Sequence, residues 1–179
     1  MKTIIRSRSM LLILLLAVSF PPCFAGEAEK APEELAAADK AKDIAFTYAQ
    51  KLTGAWGDLH VALIDSKKGG DFKDYESMKA VLNGFVTETG APYIYALFPS
   101  GAIDKDSFII TVDGSEAPDD FGKELDWEPC FAIAWVGATE AGEEAREDDG
   151  GSFMISGYAA VRDSKGDVVA VLGVDYPVR

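Results

Sequence analysis

The chain has 179 residues, of which 48% are hydrophobic and 26% are charged, a composition that indicates a globular domain and excludes a disordered or fibrous chain. Its 17 basic and 30 acidic residues give a formal charge of −13, which argues against nucleic acid and anionic membrane surfaces as partners because both would repel it. Cationic ligands, divalent ions and basic protein surfaces remain compatible with this charge.

Residues 1–25 have the pattern of a secretory signal peptide. Basic residues precede an apolar run over 10–20, which is about half the length of a membrane-spanning helix. Pro21 and Pro22 end this run, and Ala25 supplies the small residue before a cleavage site. We therefore expect cleavage after Ala25 and a periplasmic or secreted chain with 14 basic and 30 acidic residues, a formal charge of −16. An uncleaved anchor is the alternative.

The remaining cysteine and histidine content argues against an enzyme. Once the leader is removed, Cys130 is the one cysteine and His60 the one histidine. A histidine-based metal cluster cannot be assembled from them, and no nucleophile motif lies near His60 to form a catalytic triad. The sequence therefore predicts neither catalysis nor a cofactor, and Cys130 is expected to be a buried thiol.

Apolar residues at spacings of three and four predict a long helix from Glu33, with a break at Gly54 or Gly57. A second helix is expected to follow, with Asp71 as its N-cap and Gly90 at its end. Both helices precede every predicted strand.

From residue 92 on, the sequence changes to strand-forming patterns. The predicted strands are 92–98, 107–112, 153–162 and 168–176. The last two are joined at 163–167 by a hairpin turn with glycine at Gly166. Residues 129–136 are short and apolar and can form a helical turn or a strand, of which we favour a short helix. Helices followed by a few strands predict an α+β fold, with an antiparallel sheet covered by helices on one face.

Two adjoining segments near the C-terminus, SGYAAVRDSKG at 156–166 and VVAVLGVD at 168–175, resemble the closing hairpin of extracytoplasmic PAS-like sensor domains, known as Cache or PDC domains. YIYAL at 93–97 and FIITVD at 108–113 resemble earlier strands of the same family. These domains are the periplasmic input modules of bacterial histidine kinases, chemoreceptors and diguanylate cyclases.

Residues 26–32 are small and charged, and we expect this segment to be flexible. The resemblance implies one Cache-like domain at 33–179, with a PAS-like antiparallel sheet and long N-terminal helices packed on it. It also implies binding of a small molecule without catalysis. Because the sequence ends shortly after the last predicted strand, we expect the domain to hand its ligand to, or signal through, a separate membrane receptor.

Residues carried over from the family by position form the predicted ligand site. An aromatic wall with one or two buried carboxylates suits the ammonium group of an amine or amino acid. The alternative is that the tyrosines are core residues and the aspartates close strand ends by accepting hydrogen bonds from backbone amides. The predicted site residues are Tyr95, Asp113, Trp135, Ser156, Tyr158 and Asp175.

Three further alternatives remain open from the sequence. The acidic loops at 113–128 and 142–151 offer oxygen ligands for Ca²⁺, but neither has the spacing of an EF-hand, and no metal site is predicted. The chain can instead be an acidic interaction or inhibitory module that docks on a basic partner protein. Its N-terminal helix can pair two copies of the chain or cover its own sheet.

Overall fold

The computed structural model describes residues 30–103, 107–148 and 150–179. The predicted leader and all but the end of the predicted flexible segment lie outside the described residues. The fold is α+β, as the sequence predicts. Its helices are α1 (Pro32–Leu52), α2 (Ala55–Ser66), α3 (Tyr75–Thr89) and α4 (Pro129–Trp135), and its strands are β1 (Tyr93–Pro99), β2 (Phe108–Asp113), β3 (Glu124–Leu125), β4 (Thr139–Ala141), β5 (Arg146–Glu147), β6 (Phe153–Arg162) and β7 (Val168–Pro177).

The strands form one antiparallel sheet in the order β3-β2-β1-β7-β6-β4, and β5 also pairs with β6. The long hairpin of β6 and β7 lies at its centre and is closed by the predicted turn. Gly166 has a φ of 92° there, a conformation that a side chain would disfavour. The Asp163 carboxylate accepts hydrogen bonds from the backbone N–H groups of Lys165 and Asp167, which fixes the turn.

Helices α1, α2 and α3 cover one face of the sheet, as predicted. Small residues bring α1 unusually close to β6, because Ala41 is fully buried and faces Gly157 on the strand. A Cβ atom on Gly157 would lie 2.3 Å from the carbonyl carbon of Ala41, so the two backbones are in contact. The predicted break after α1 is found at Gly54, where φ is 92°.

The opposite face of the sheet is only partly covered. Phe131 on α4 packs at 5.0 Å between ring centroids against Tyr158 of β6 and at 5.2 Å against Phe108 of β2. The short helix predicted at 129–136 is thus confirmed as α4 and closes the apolar core of this face. The adjoining part of the face, at the start of β1 and the end of β7, is left open.

Two parts of the chain differ from prediction. Asp71 is not the N-cap of α3, because the chain makes a 3₁₀ turn over Gly69–Asp71 and the helix begins only at Tyr75. The acidic loops contain the short edge strands β3 and β5, and β4 precedes the second loop. These strands have two or three residues, too few to show an alternating pattern. The end of α3 at Gly90, in the left-handed conformation, is confirmed.

Within the described part of the chain, no helix combines the length and the apolar character needed to cross a bilayer.

Candidate functional site

A cavity of about 370 Å³ lies on the face of the sheet opposite α1, α2 and α3. Strands β1, β6 and β7 form its floor. The segment from β3 to α4 forms one wall, and β5 with the residue that follows it forms the other. It is lined by Tyr93, Tyr95, Glu124, Leu125, Asp126, Glu128, Phe131, Arg146, Glu147, Asp148, Met154, Ser156, Tyr158 and Asp175.

The floor consists of two rows of side chains that cross the three central strands. In the first row Asp175 of β7 stands between Tyr93 of β1 and Ser156 of β6. In the second row a glycine, Gly173, stands between Tyr95 and Tyr158. The Tyr95 ring lies over this glycine, since a Cβ atom there would be 2.4 Å from the ring. The strand register therefore places one carboxylate beside two buried phenols.

Asp175 is the central charged group of the floor. The Tyr95 hydroxyl donates a hydrogen bond of 2.9 Å to its Oδ1 atom. Burial raises the pKa of the Asp175 carboxyl to about 6, and its interactions with Ser156 and Tyr95 oppose this rise. The neighbouring charges that add to the rise are both carboxylates, Asp113 and Glu128. Among the ion pairs of the described residues, none involves Asp175.

An ion pair joins the two walls of the cavity. The Arg146 guanidinium, on β5, contacts the carboxylate of Glu128, which immediately precedes α4. The Glu128 side chain is only 13% exposed, and it also accepts a hydrogen bond from the thiol of Cys130 at 3.3 Å. Arg146 is therefore already engaged by a nearly buried partner.

The charge of the lining is strongly negative. Six carboxylates line the cavity, whereas Arg146 is the one basic side chain among the described lining residues. Phe131, Tyr158 and Met154 supply apolar surface beside them. A cavity of this character favours a ligand that carries positive charge on an apolar skeleton.

Four of the six predicted site residues line this one cavity. They are Tyr95, Ser156, Tyr158 and Asp175.

The structure places the other two outside the cavity. Trp135 lies one helical turn beyond Phe131 and packs edge-on against Phe98 and Phe108, with ring centroids 5.5 and 6.3 Å away. It is Phe131 that reaches the cavity instead. Asp113 is 4% exposed and is occupied by its own loop, as described next.

The Asp113 carboxylate organises the turn after β2. It accepts hydrogen bonds from the backbone N–H and hydroxyl of Ser115, at 2.9 and 2.7 Å, and from the backbone N–H of Asp119 at 2.8 Å. This is the structural role that the sequence leaves open as an alternative to ligand binding.

We expect Asp113→Ala to lower the free energy of unfolding by about 2–3 kcal/mol, because the buried backbone donor of Ser115 and the half-buried backbone donor of Asp119 lose their acceptor. Urea unfolding monitored by circular dichroism measures this. The control is Asp65→Asn on the exposed surface of α2, which should change stability by less than about 0.5 kcal/mol. Equal stability of Asp113→Ala and the wild type would contradict the assigned role.

Several lining residues were not predicted from the sequence. Tyr93 and Met154 each stand two residues before a predicted site residue in the same strand, so the alternation of side chains along a strand could have found them. Glu128 and Arg146 are far apart in the sequence and lie in segments that read as polar loops. Nothing in the sequence signals that they form a pair.

The histidine and the cysteine considered above for catalysis, His60 and Cys130, are both buried. His60 is fully buried on the helix-covered side, where its Nε2 atom lies 2.8 Å from the Thr111 hydroxyl, and burial lowers its pKa to about 4. Cys130 is 2% exposed, and burial together with Glu128 raises the pKa of its thiol to about 12. The expectation that Cys130 is a buried thiol is confirmed. No group of three or more metal-binding side chains is assembled among the described residues.

No protein-family model and no curated protein sequence matches this chain. Solved structures do match it, and they include ligand-binding or sensory domains of Campylobacter jejuni chemoreceptors. The Tlp3 domain in complex with 4-methylisoleucine is 13% identical, with a TM-score of 0.37, over 83% of this chain and 61% of that one. The Tlp3 complex with L-valine is 12% identical, with a TM-score of 0.38, over 80% and 59%. The periplasmic sensory domain of Tlp1 is 12% identical, with a TM-score of 0.35, over 80% and 60%.

This chain therefore spans about three fifths of the length of those domains. They are ligand-binding or sensory domains of chemoreceptors, the class that the sequence resemblance predicts. At these identities the match concerns the fold alone.

Proposed function

We propose that this chain binds a small organic cation, the ammonium group of an amine or amino acid, in the cavity on β1, β6 and β7 without transforming it. The proposal is supported most directly by the half-buried charge of Asp175. Its carboxylate is held by the Tyr95 hydroxyl and raised in pKa by burial, yet no cationic side chain of the described residues pairs with it.

An ionised carboxylate in such a place is costly to the folded protein unless a positive charge joins it. A ligand ammonium group would supply that charge and would add charge-assisted hydrogen bonds to Asp175. The sequence of β7 thus keeps a group that is unfavourable for stability and favourable for binding a cation.

The surroundings of Asp175 fit the same class of ligand. The faces of the tyrosine and phenylalanine rings attract cations and pack against alkyl chains. A volume of about 370 Å³ lies within the range of small-molecule sites, roughly 300–1,000 Å³.

The experiment is calorimetric titration of the purified protein with a panel of primary amines and amino acids at pH 7.5. For every panel member that binds, Asp175→Asn should weaken binding by about tenfold or more, because it removes a charged hydrogen-bond acceptor. The matched control is Asp65→Asn, which removes the same charge from the exposed surface of α2 and should leave binding unchanged. A panel with no binder, or binding indifferent to Asp175→Asn, would contradict the proposal.

The biological setting is proposed on the sequence alone. The leader pattern of residues 1–25 supports export with cleavage after Ala25, and the family resemblance supports action through a membrane receptor. Isolation of a basic protein that binds the chain equally well with and without amine, and dissociates as salt rises, would favour the interaction module instead.

A further inference from the structure

We infer that the preferred ligand of the cavity carries no carboxylate, and that it is a short diamine in preference to an amino acid. This inference rests on the proposed function and narrows it to one chemical class. It follows from which charges of the cavity are already paired and which are not.

Arg146 is the group that an amino-acid carboxylate would need. It is the one basic side chain among the described residues of the lining, and it is paired with Glu128. If Arg146 turned to a ligand carboxylate, Glu128 would lose its cation while only 13% exposed. Breaking the pair would leave an uncompensated charge on the largely buried Glu128 carboxylate, which is unfavourable although Arg146 itself is 70% exposed.

The other charges of the lining repel a carboxylate. Besides Asp175 and Glu128, the cavity is lined by four further acidic residues, from β3, β5 and the segments that follow those strands. A zwitterionic amino acid could place its ammonium group at Asp175 only by bringing its carboxylate into this field. Like charges brought together in a binding site reduce affinity and act as a filter between related ligands. The four residues are Glu124, Asp126, Glu147 and Asp148.

Three of these acidic residues offer a place for a second ammonium group. Glu124 and Asp126 are exposed on one wall, Glu147 is exposed on the other, and none belongs to an ion pair among the described residues. Asp148 differs, because its carboxylate accepts hydrogen bonds from the backbone N–H groups of Gly150 and Ser152. A diamine with one end at Asp175 would place its other end among the three exposed carboxylates.

The test uses two pairs of ligands in which each amine has a matched amino acid with one added carboxylate. n-Butylamine is paired with L-norvaline, and 1,4-diaminobutane is paired with L-ornithine. Dissociation constants are measured by calorimetry on the purified protein at pH 7.5 and low salt. Each amine should bind at least about tenfold more tightly than its matched amino acid. 1,4-Diaminobutane should bind about threefold to fivefold more tightly than n-butylamine, the effect of a partly exposed ion pair.

A variant of the three exposed acidic residues Glu124, Asp126 and Glu147, here called the rim variant, locates the second ammonium group. This variant should bind 1,4-diaminobutane about as tightly as n-butylamine. It combines Glu124→Gln, Asp126→Asn and Glu147→Gln. The fold is checked by circular dichroism, and Asp65→Asn serves as the charge control. If the rim variant kept the full preference for the diamine, the placement of the second ammonium group at these three carboxylates would be wrong.

The outcomes separate this inference from the proposed function. Tighter binding of L-norvaline and L-ornithine than of their matched amines, with loss on Asp175→Asn, would overturn the inference and leave the proposed function standing. Binding of none of the four compounds, while another amine or amino acid of the wider panel binds and is lost on Asp175→Asn, would overturn the inference alone. A wider panel with no binder would overturn both.

Discussion

Without ligand, Asp175→Asn should raise the free energy of unfolding by about 2 kcal/mol at pH 7.5. The pKa of the Asp175 carboxyl in the folded protein is about 6, against an ordinary value of 3.8. Each unit of difference corresponds to about 1.4 kcal/mol, and the partial exposure of Asp175 reduces the net effect. The asparagine amide keeps an oxygen to accept the Tyr95 hydrogen bond but carries no charge. Such a gain of stability on removing the charge of Asp175 is what a carboxylate kept for ligand binding should show.

The pH dependence of this effect has a definite sign. Because the folded-state pKa is raised, Asp175 binds its proton more tightly in the folded protein, and its stabilising contribution is complete below pH 3.8. That contribution is lost as the pH rises through about 6. The advantage of Asp175→Asn over the wild type should therefore be full above pH 6 and should vanish near pH 4.

Urea unfolding of both proteins at pH 4 and at pH 7.5 measures this difference, with Asp65→Asn as the control that should show no such dependence. A variant less stable than the wild type at pH 7.5 would mean that the Asp175 charge is compensated within the folded protein, and the argument for a cationic ligand would fail.

Gly157→Ala should destabilise the fold by about 3 kcal/mol. The added methyl group would overlap the backbone of α1 at Ala41, with distances of 2.3 to 2.6 Å to backbone atoms that cannot rotate away as a side chain could. The helix would have to move away from β6, which opens the core between them. Overpacking of this kind typically costs about 1–3 kcal/mol or more.

Gly84→Ala is the matched control for this prediction. Gly84 is an exposed residue in the middle of α3, and a Cβ atom there would have no neighbour within 4 Å. Alanine should therefore stabilise the helix by about 1 kcal/mol. Relative to the wild type, the midpoint of thermal unfolding should fall for Gly157→Ala and rise for Gly84→Ala. A midpoint of Gly157→Ala equal to that of the wild type would contradict the close contact between α1 and β6.

The sequence predicts the main helices and strands because each is long enough to show the periodic spacing of its apolar residues. Helix α1 buries Ala41, Ala45 and Ala49 at intervals of four residues, and β6 and β7 extend for ten residues each around a turn with glycine. The start of α3 is missed because the chain makes a 3₁₀ turn where Asp71 suggests a cap. The short edge strands β3, β4 and β5 depend on pairing with β2 and β6, a tertiary effect that no local pattern reports.

The candidate site is predicted only in part, for a similar reason. Tyr95, Ser156, Tyr158 and Asp175 come together because they lie on adjacent central strands, and their register follows from the hairpin. Asp113, like Asp175, is an aspartate that follows an apolar run within its strand, but its carboxylate accepts hydrogen bonds from Ser115 and Asp119. The ion pair between Arg146 and Glu128, which decides the charge available to a ligand, joins β5 to the residue before α4 and depends on tertiary packing.

The pKa of the Asp175 carboxyl, measured by carbon-detected NMR with and without saturating 1,4-diaminobutane, tests the central claim most directly. Without ligand we predict a value of about 6. With ligand bound, the adjacent ammonium group should lower it by roughly one to three units. A pKa that is ordinary without ligand, or that does not change when the diamine binds, would contradict the claim that Asp175 receives a cation.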